Sequence, residues 1–127
     1  MVVVPEEAKE YFNNPQAAKV IATVDEQGNP HVAPVGSLQC VAEDTFAFAV
    51  VGVKKTKENL ERTKRAALLA FTAPPNLGGY KIDGTFVGFE TEGELFDTFA
   101  KALKEMIGVD ISYIGIIKAE HAEPVSL

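Results

Sequence analysis

The order of apolar and polar positions along the chain predicts three helices and six strands, the strands mostly in meander order. Ala8, Tyr11 and Phe12 share one side of a helix over residues 5–14, which Pro15 stops. Residues 18–24 are β-branched and apolar. A turn at Asp25, Glu26, Gln27, Gly28 and Asn29 then sends the chain back as a long strand over 30–42, completing a hairpin. Glu43, Asp44 and Thr45 turn it again into a strand over 46–51. A polar helix over 56–64, with Leu60 as its buried contact, leads to a strand over 66–71. Past a breaker-rich loop over 73–79, residues 80–91 form a strand that changes phase. Tyr80 and Ile82 set one face, Val87 and Phe89 take the other parity, and Gly84 between them marks a bulge or tight bend. An amphipathic helix over 94–107 carries Leu95, Phe96, Phe99, Leu103 and Met106 on one side. The last strand, over 111–118, is apolar at Ile111, Tyr113, Ile114, Ile116 and Ile117. A half-exposed strand alternates, so both of its faces are expected to be covered, by the chain's own helices or by a second subunit. Six strands in meander order with short helices predict a small β-barrel rather than βαβ units.

The totals narrow the class. At 127 residues one domain is expected, and 46% hydrophobic with 24% charged residues is the balance of a soluble globular protein. The N-terminal run has no basic region and is too short for a signal peptide, and no segment approaches a membrane span. Cys40 is the only cysteine, so no internal disulfide forms, and a cytoplasmic location is the default. A net charge of −6 and the lack of tryptophan argue against non-specific nucleic-acid binding.

Against that acidic background, half of the basic residues fall within residues 54–65: Lys54, Lys55, Lys57, Arg62, Lys64 and Arg65. The surrounding order is informative. The apolar strand ends at Gly52, lysines follow, and Thr56 stands as a candidate N-cap for the polar helix. Strand, glycine, lysines and helix start make a phosphate seat, because helix N-terminal N–H groups and the helix dipole favour an anion and lysines add charged hydrogen bonds. The alternative is a surface helix with a solvated basic face.

Other candidate chemistry is sparse. His31 and His121 have no partner at metal-ligand spacing, and Cys40 lies in a strand without a recognisable base, so a zinc site and a thiol nucleophile are not expected. Gly78 and Gly79 lack a following Walker pattern. Glu90 and Glu92 share a strand face, but paired carboxylates alone assign nothing, and no catalytic residue is singled out.

Four landmarks in order carry a resemblance. They are Ile21, Ala22, Thr23 and Val24 followed by Gly28 to Val32; Val51 and Gly52 with Lys55, Thr56 and Asn59; Gly79 to Gly84; and Thr91, Glu92 and Gly93 before the last helix. From about Lys19 onward the chain resembles the flavin-binding split-barrel family, which includes pyridoxamine 5′-phosphate oxidases, and it is most similar there to the small FMN-binding proteins. The resemblance implies a dimeric split barrel that binds FMN at the subunit interface. Lys54, Lys55 and Thr56 would hold the phosphate. The ring would lie along backbone at Val35, Gly36 and Ser37 and at Val50, Val51 and Gly52. Asn59 would bond the phosphate or tie down the loop. The flavin itself would carry the redox chemistry, with a nicotinamide nucleotide or a redox protein as donor.

Departures from the oxidases are equally specific. Their arginine-rich strand corresponds to residues 33–38 here, which hold no basic residue, and their C-terminal arginine region has no counterpart. Pyridoxamine phosphate oxidation is therefore not expected. An FMN-dependent oxidoreductase, a non-catalytic electron carrier, and the same fold holding deazaflavin or haem remain as readings.

Overall fold

The computed structural model describes residues 4–50, 54–73 and 77–125. Its elements are α1 (Glu6–Asn13), β1 (Ala18–Val24), β2 (Pro30–Pro34), β3 (Gln39–Cys40), β4 (Thr45–Val50), α2 (Lys54–Thr63), β5 (Arg65–Thr72), β6 (Gly78–Glu90), α3 (Glu94–Ile107) and β7 (Tyr113–Val125). Seven strands form one antiparallel sheet in the order β2-β1-β5-β6-β7-β4-β3. Six were expected. The long strand over 30–42 is broken, because residues 35–38 turn, with Leu38 N–H bonding back to the Val35 carbonyl at 3.1 Å. The two pieces become the two edges of the sheet, which does not close between them.

The inner face of the sheet holds the main core. Ala33 from one edge and Leu38 from beside the other join Ile21, Phe46, Phe48, Leu68, Ile82 and Ile117 in a single buried cluster, so the sheet curls around it. α1 adds Phe12, whose ring meets Phe46 edge-on at 4.8 Å. The bend expected at Gly84 is present: the β6–β7 register shifts between Asp83 and Gly84 and again between Phe86 and Gly88. A Cβ at Gly84 would stand 2.6 Å from Ile117 and 2.8 Å from the Lys118 carbonyl, so only glycine lets β7 approach.

β7 answers the question its apolar run posed. Ile117 faces the main core, whereas Ile114 and Ile116 pack with Ala47, Ala49 and Phe99 under α3. The cover on the outer face is the chain's own helix, not a second subunit. α3 uses Leu95, Phe96, Phe99 and Leu103 for this contact. Met106, expected on the same side, is 75% exposed and takes no part in that cluster. Gly108 caps α3 in the left-handed conformation, its N–H bonding the Lys104 carbonyl.

A geometrical device ends α2. Lys64 takes a positive φ of 61° and returns its N–H to the Leu60 carbonyl, so β5 starts at the very next residue. The Lys64 carbonyl then accepts the Phe86 N–H, which fixes the helix exit against β6.

Candidate functional site: the turn at 35–38 and the start of α2

Two segments distant in sequence meet at the end of β4. Val35 N–H bonds the Lys19 carbonyl, which holds the start of the turn to β1. At its other side, the Ser37 hydroxyl oxygen accepts the Ala49 N–H at 2.9 Å. Val35 and Val50 are buried, and a Cβ built on Gly36 would meet nothing within 4 Å, so the turn surface at Gly36 is open. Val35, Gly36, Ser37 and Val50 are thus brought together. Val51, Gly52 and the Lys54 side chain lie outside the described residues.

α2 follows directly. It begins at Lys54, two residues earlier than expected, so Thr56 is its third residue and not its N-cap. The first four N–H groups of a helix have no carbonyl partner within it. Into this turn falls the Thr56 hydroxyl, only 2% exposed and without a hydrogen-bond partner among the described residues. Leaving a buried hydroxyl unpaired costs on the order of 1–3 kcal/mol. A phosphate oxygen would satisfy it, and the residues present therefore fit the phosphate of FMN.

Lys55 is exposed on the side of the β1–β2 turn, where its charge acts on Asp25. Asp25 closes that turn by accepting N–H bonds from Asn29 and Gln27 at 2.8 and 2.9 Å. The Asn29 N–H, foremost, holds its carboxyl below the usual carboxylate range. Asn59 is fully buried and its amide is engaged elsewhere: Nδ2 donates to Thr23 Oγ1 at 3.0 Å, and Oδ1 accepts from Arg62. Asn59 thereby joins α2 to the end of β1. Lys57 is only partly exposed. Its ammonium lies 5.8 Å from the Phe89 ring centre and 5.3 Å from that of Tyr113, and it pairs with Glu61 at 3.8 Å.

Two features escaped the sequence reading. The first is Lys19, which alternates inward with Ile21 and Thr23 and is 7% exposed. Burial holds its pKa below the ordinary value. The second is the outer face of β1, β5 and β6. Val20, Ala22, Val32, Leu69, Phe71 and Leu77 line an open apolar groove of about 740 Å³, with Val32 60% and Leu77 50% exposed. Its signal was present, since β1 and β5 carry apolar residues on both parities as β7 does. None of the cofactor residues named above lines this groove. Cys40, by contrast, behaves as a structural thiol: it donates to the Ala42 carbonyl at 3.1 Å, and burial raises its pKa.

Known proteins share this architecture. An FMN-binding protein from Syntrophomonas wolfei subsp. wolfei superposes with a TM-score of 0.87 at 24% identity, over 96% of this chain and 86% of that one. HupZ of Group A Streptococcus gives 0.82 at 26% identity, over 97% and 94%. An F420 reductase gives 0.72 at 15% identity, over 94% and 98%. No curated protein is significantly similar in sequence. The family model described as pyridoxamine 5′-phosphate oxidase matches residues 4–125, nearly the whole length. With that match and this fold, the chain belongs to the pyridoxamine 5′-phosphate oxidase family.

Proposed function

We propose that the chain is a single FMN-binding split-barrel domain that works in the cytoplasm as a flavin-dependent oxidoreductase and pairs into a homodimer. The observation that carries the reading is the Thr56 hydroxyl in the first turn of α2 beside Lys55, buried and without a partner among the described residues. Helix N–H groups, a lysine and a buried hydroxyl together supply the donors that a phosphate takes. The open surface at Gly36, fastened to β4 through Ser37 and Ala49, supports a flat ring lying on backbone beyond the phosphate. When bound, the flavin supplies reversible redox chemistry, and the protein's part is to hold and orient it. The Syntrophomonas FMN-binding protein of the same fold favours this ligand.

Pyridoxamine phosphate is not the substrate. Residues 33–38 provide no cation. Lys81 lines the outer groove rather than the seat and is paired with Glu123 at 3.0 Å and Asp83 at 3.4 Å. A nicotinamide nucleotide or a redox protein serves as electron donor.

The apolar groove on β1, β5 and β6 supports the dimer, because contiguous exposed apolar surface marks an interaction site. A second reading, the same seat holding a deazaflavin nucleotide, draws on the fold shared with the F420 reductase.

The absorption spectrum of purified, reconstituted protein tests the proposal. FMN should be bound at one per chain and released on denaturation, where mass spectrometry separates it from a deazaflavin. A protein that stays colourless and shows no flavin binding by titration overturns it.

A further inference from the structure

Arg62 belongs to the basic cluster, yet its guanidinium points away from the phosphate seat. Nη2 donates to the Val24 carbonyl at 2.6 Å and to Asn59 Oδ1 at 3.1 Å. Asn59 in turn donates to Thr23 Oγ1, so three side chains fasten α2 to the last two residues of β1. We infer that Arg62, Asn59 and Thr23 form a clasp that positions the first turn of α2 for phosphate, an inference that rests on the flavin reading above.

The physical case starts from how little else holds the helix. α2 has ten residues, and its sequence is polar apart from Leu60, which alone contributes a buried apolar side chain. A helix this short is marginal without tertiary support. Its N-terminal N–H groups bind an anion only when they converge on one point, so a small rotation or tilt disperses the seat. Asn59 lies one turn beyond Thr56, and its clasp fixes the rotation that turns Thr56 inward. Arg62, one turn further, locks the tilt against the β1 end. The clasp closes through fixed hydrogen-bond geometry, which an exposed ion pair would not supply. It also occupies both Nη2 protons of Arg62, while Lys57 is turned to the Phe89 and Tyr113 rings and Glu61, which leaves Lys55 as the first-turn cation with no such contact described.

Comparing FMN with riboflavin, which lacks the phosphate, separates positioning from general stability. Dissociation constants for both flavins are measured on wild type, Arg62→Met and Thr23→Val by fluorescence titration. Arg62→Met keeps the apolar stem, and Thr23→Val keeps the shape while removing the acceptor. FMN binding should weaken about tenfold in the first and a few-fold in the second, as expected for losing one or two hydrogen bonds. Riboflavin binding should stay within about twofold of wild type in both, since ring contacts are untouched. Arg62→Lys should recover part of the loss. Amide exchange across 55–63 in the ligand-free protein should quicken in Arg62→Met. If the two flavins weaken together, or neither changes, the clasp does not position the seat. Should Arg62→Met fail to fold, Thr23→Val decides alone. A wild type that binds neither flavin overturns the flavin reading and this inference with it. A wild type that binds FMN while the variants keep its FMN-to-riboflavin ratio overturns the clasp only.

Discussion

Ser37 and Ala49, twelve residues apart, are joined by one hydrogen bond of 2.9 Å from the Ala49 N–H to the Ser37 hydroxyl. That bond fastens the turn between the two edge strands to the strand that leads into α2, and so ties the proposed ring surface to the proposed phosphate seat. Replacing Ser37 with Ala should leave the fold intact, loosen the turn, and weaken riboflavin and FMN alike by about three- to tenfold, the worth of one neutral hydrogen bond. Equal titrations of wild type and variant would show that the turn takes no part.

Thr56→Val should move two measurements in opposite directions. In the ligand-free protein the substitution removes a buried hydroxyl without a described partner, so thermal stability should hold or rise. FMN affinity should fall about tenfold through loss of the hydroxyl donor. A variant that loses stability and keeps its affinity would mean that the hydroxyl is satisfied within the protein.

Lys55 and Lys57 should separate cleanly. Lys55→Ala removes a charged hydrogen bond to phosphate worth about 1.5–3 kcal/mol and should weaken FMN binding about ten- to a hundredfold. Lys57→Ala should hardly alter affinity, yet cost about 0.5–1 kcal/mol of stability through its contact with the Phe89 and Tyr113 rings. Equal effects on affinity would point to a diffuse basic patch.

Lys19 should make stability depend on alkaline pH. Its folded pKa is lowered from 10.5 by burial, so between the folded value and 10.5 the unfolded chain binds more protons. Stability therefore rises with pH through that window. Lys19→Met should be more stable than wild type at neutral pH, and the difference should shrink as pH climbs through the window. Denaturant titrations at several pH values would reveal it, and a constant difference would exclude a buried ammonium.

The outer face should govern assembly. Leu69→Glu puts a charge in the middle of the apolar groove, and sedimentation should then report a monomer where wild type sediments as a dimer. An unchanged dimer would place the contact elsewhere.

Much of this was legible in the residues. The hairpin at Asp25, the bulge at Gly84 and most of the apolar stripe of α3 are local signals that appear where the pattern put them. The burial parity of β6, however, runs on from Tyr80 and Ile82 to Phe86, so Val87, expected inward, is 59% exposed. What sequence did not reveal depends on tertiary partners. Residues 30–42 read as one strand because Val32, Val35 and Leu38 carry no breaker beyond Pro34 and Gly36. The turn shows only in the bond from the Leu38 N–H to the Val35 carbonyl and in the placing of β2 and β3 at opposite edges of the sheet. Thr56 resembled an N-cap because its chemistry suits one, yet Lys54 starts the helix. The run Ile114–Ile117 suggested two covers, and periodicity could not say that α3 would provide the outer one. The clasp was out of reach, since Thr23 and Arg62 lie 39 positions apart with nothing in their spacing to join them.

The seal that α3 places over β7 limits the valence of the subunit. One apolar face is covered internally, which leaves the groove on β1, β5 and β6 as an apolar face open to a copy of the chain. The sheet edges offer little else: β3 is two residues long, and β2 is bracketed by Pro30 and Pro34, which cannot donate to a further strand. A body with one such face that meets its copy across a two-fold axis exhausts its contacts in one encounter. If the proposed homodimer forms through that groove, assembly would stop at a pair, with no free copy of the face left to seed rings or filaments.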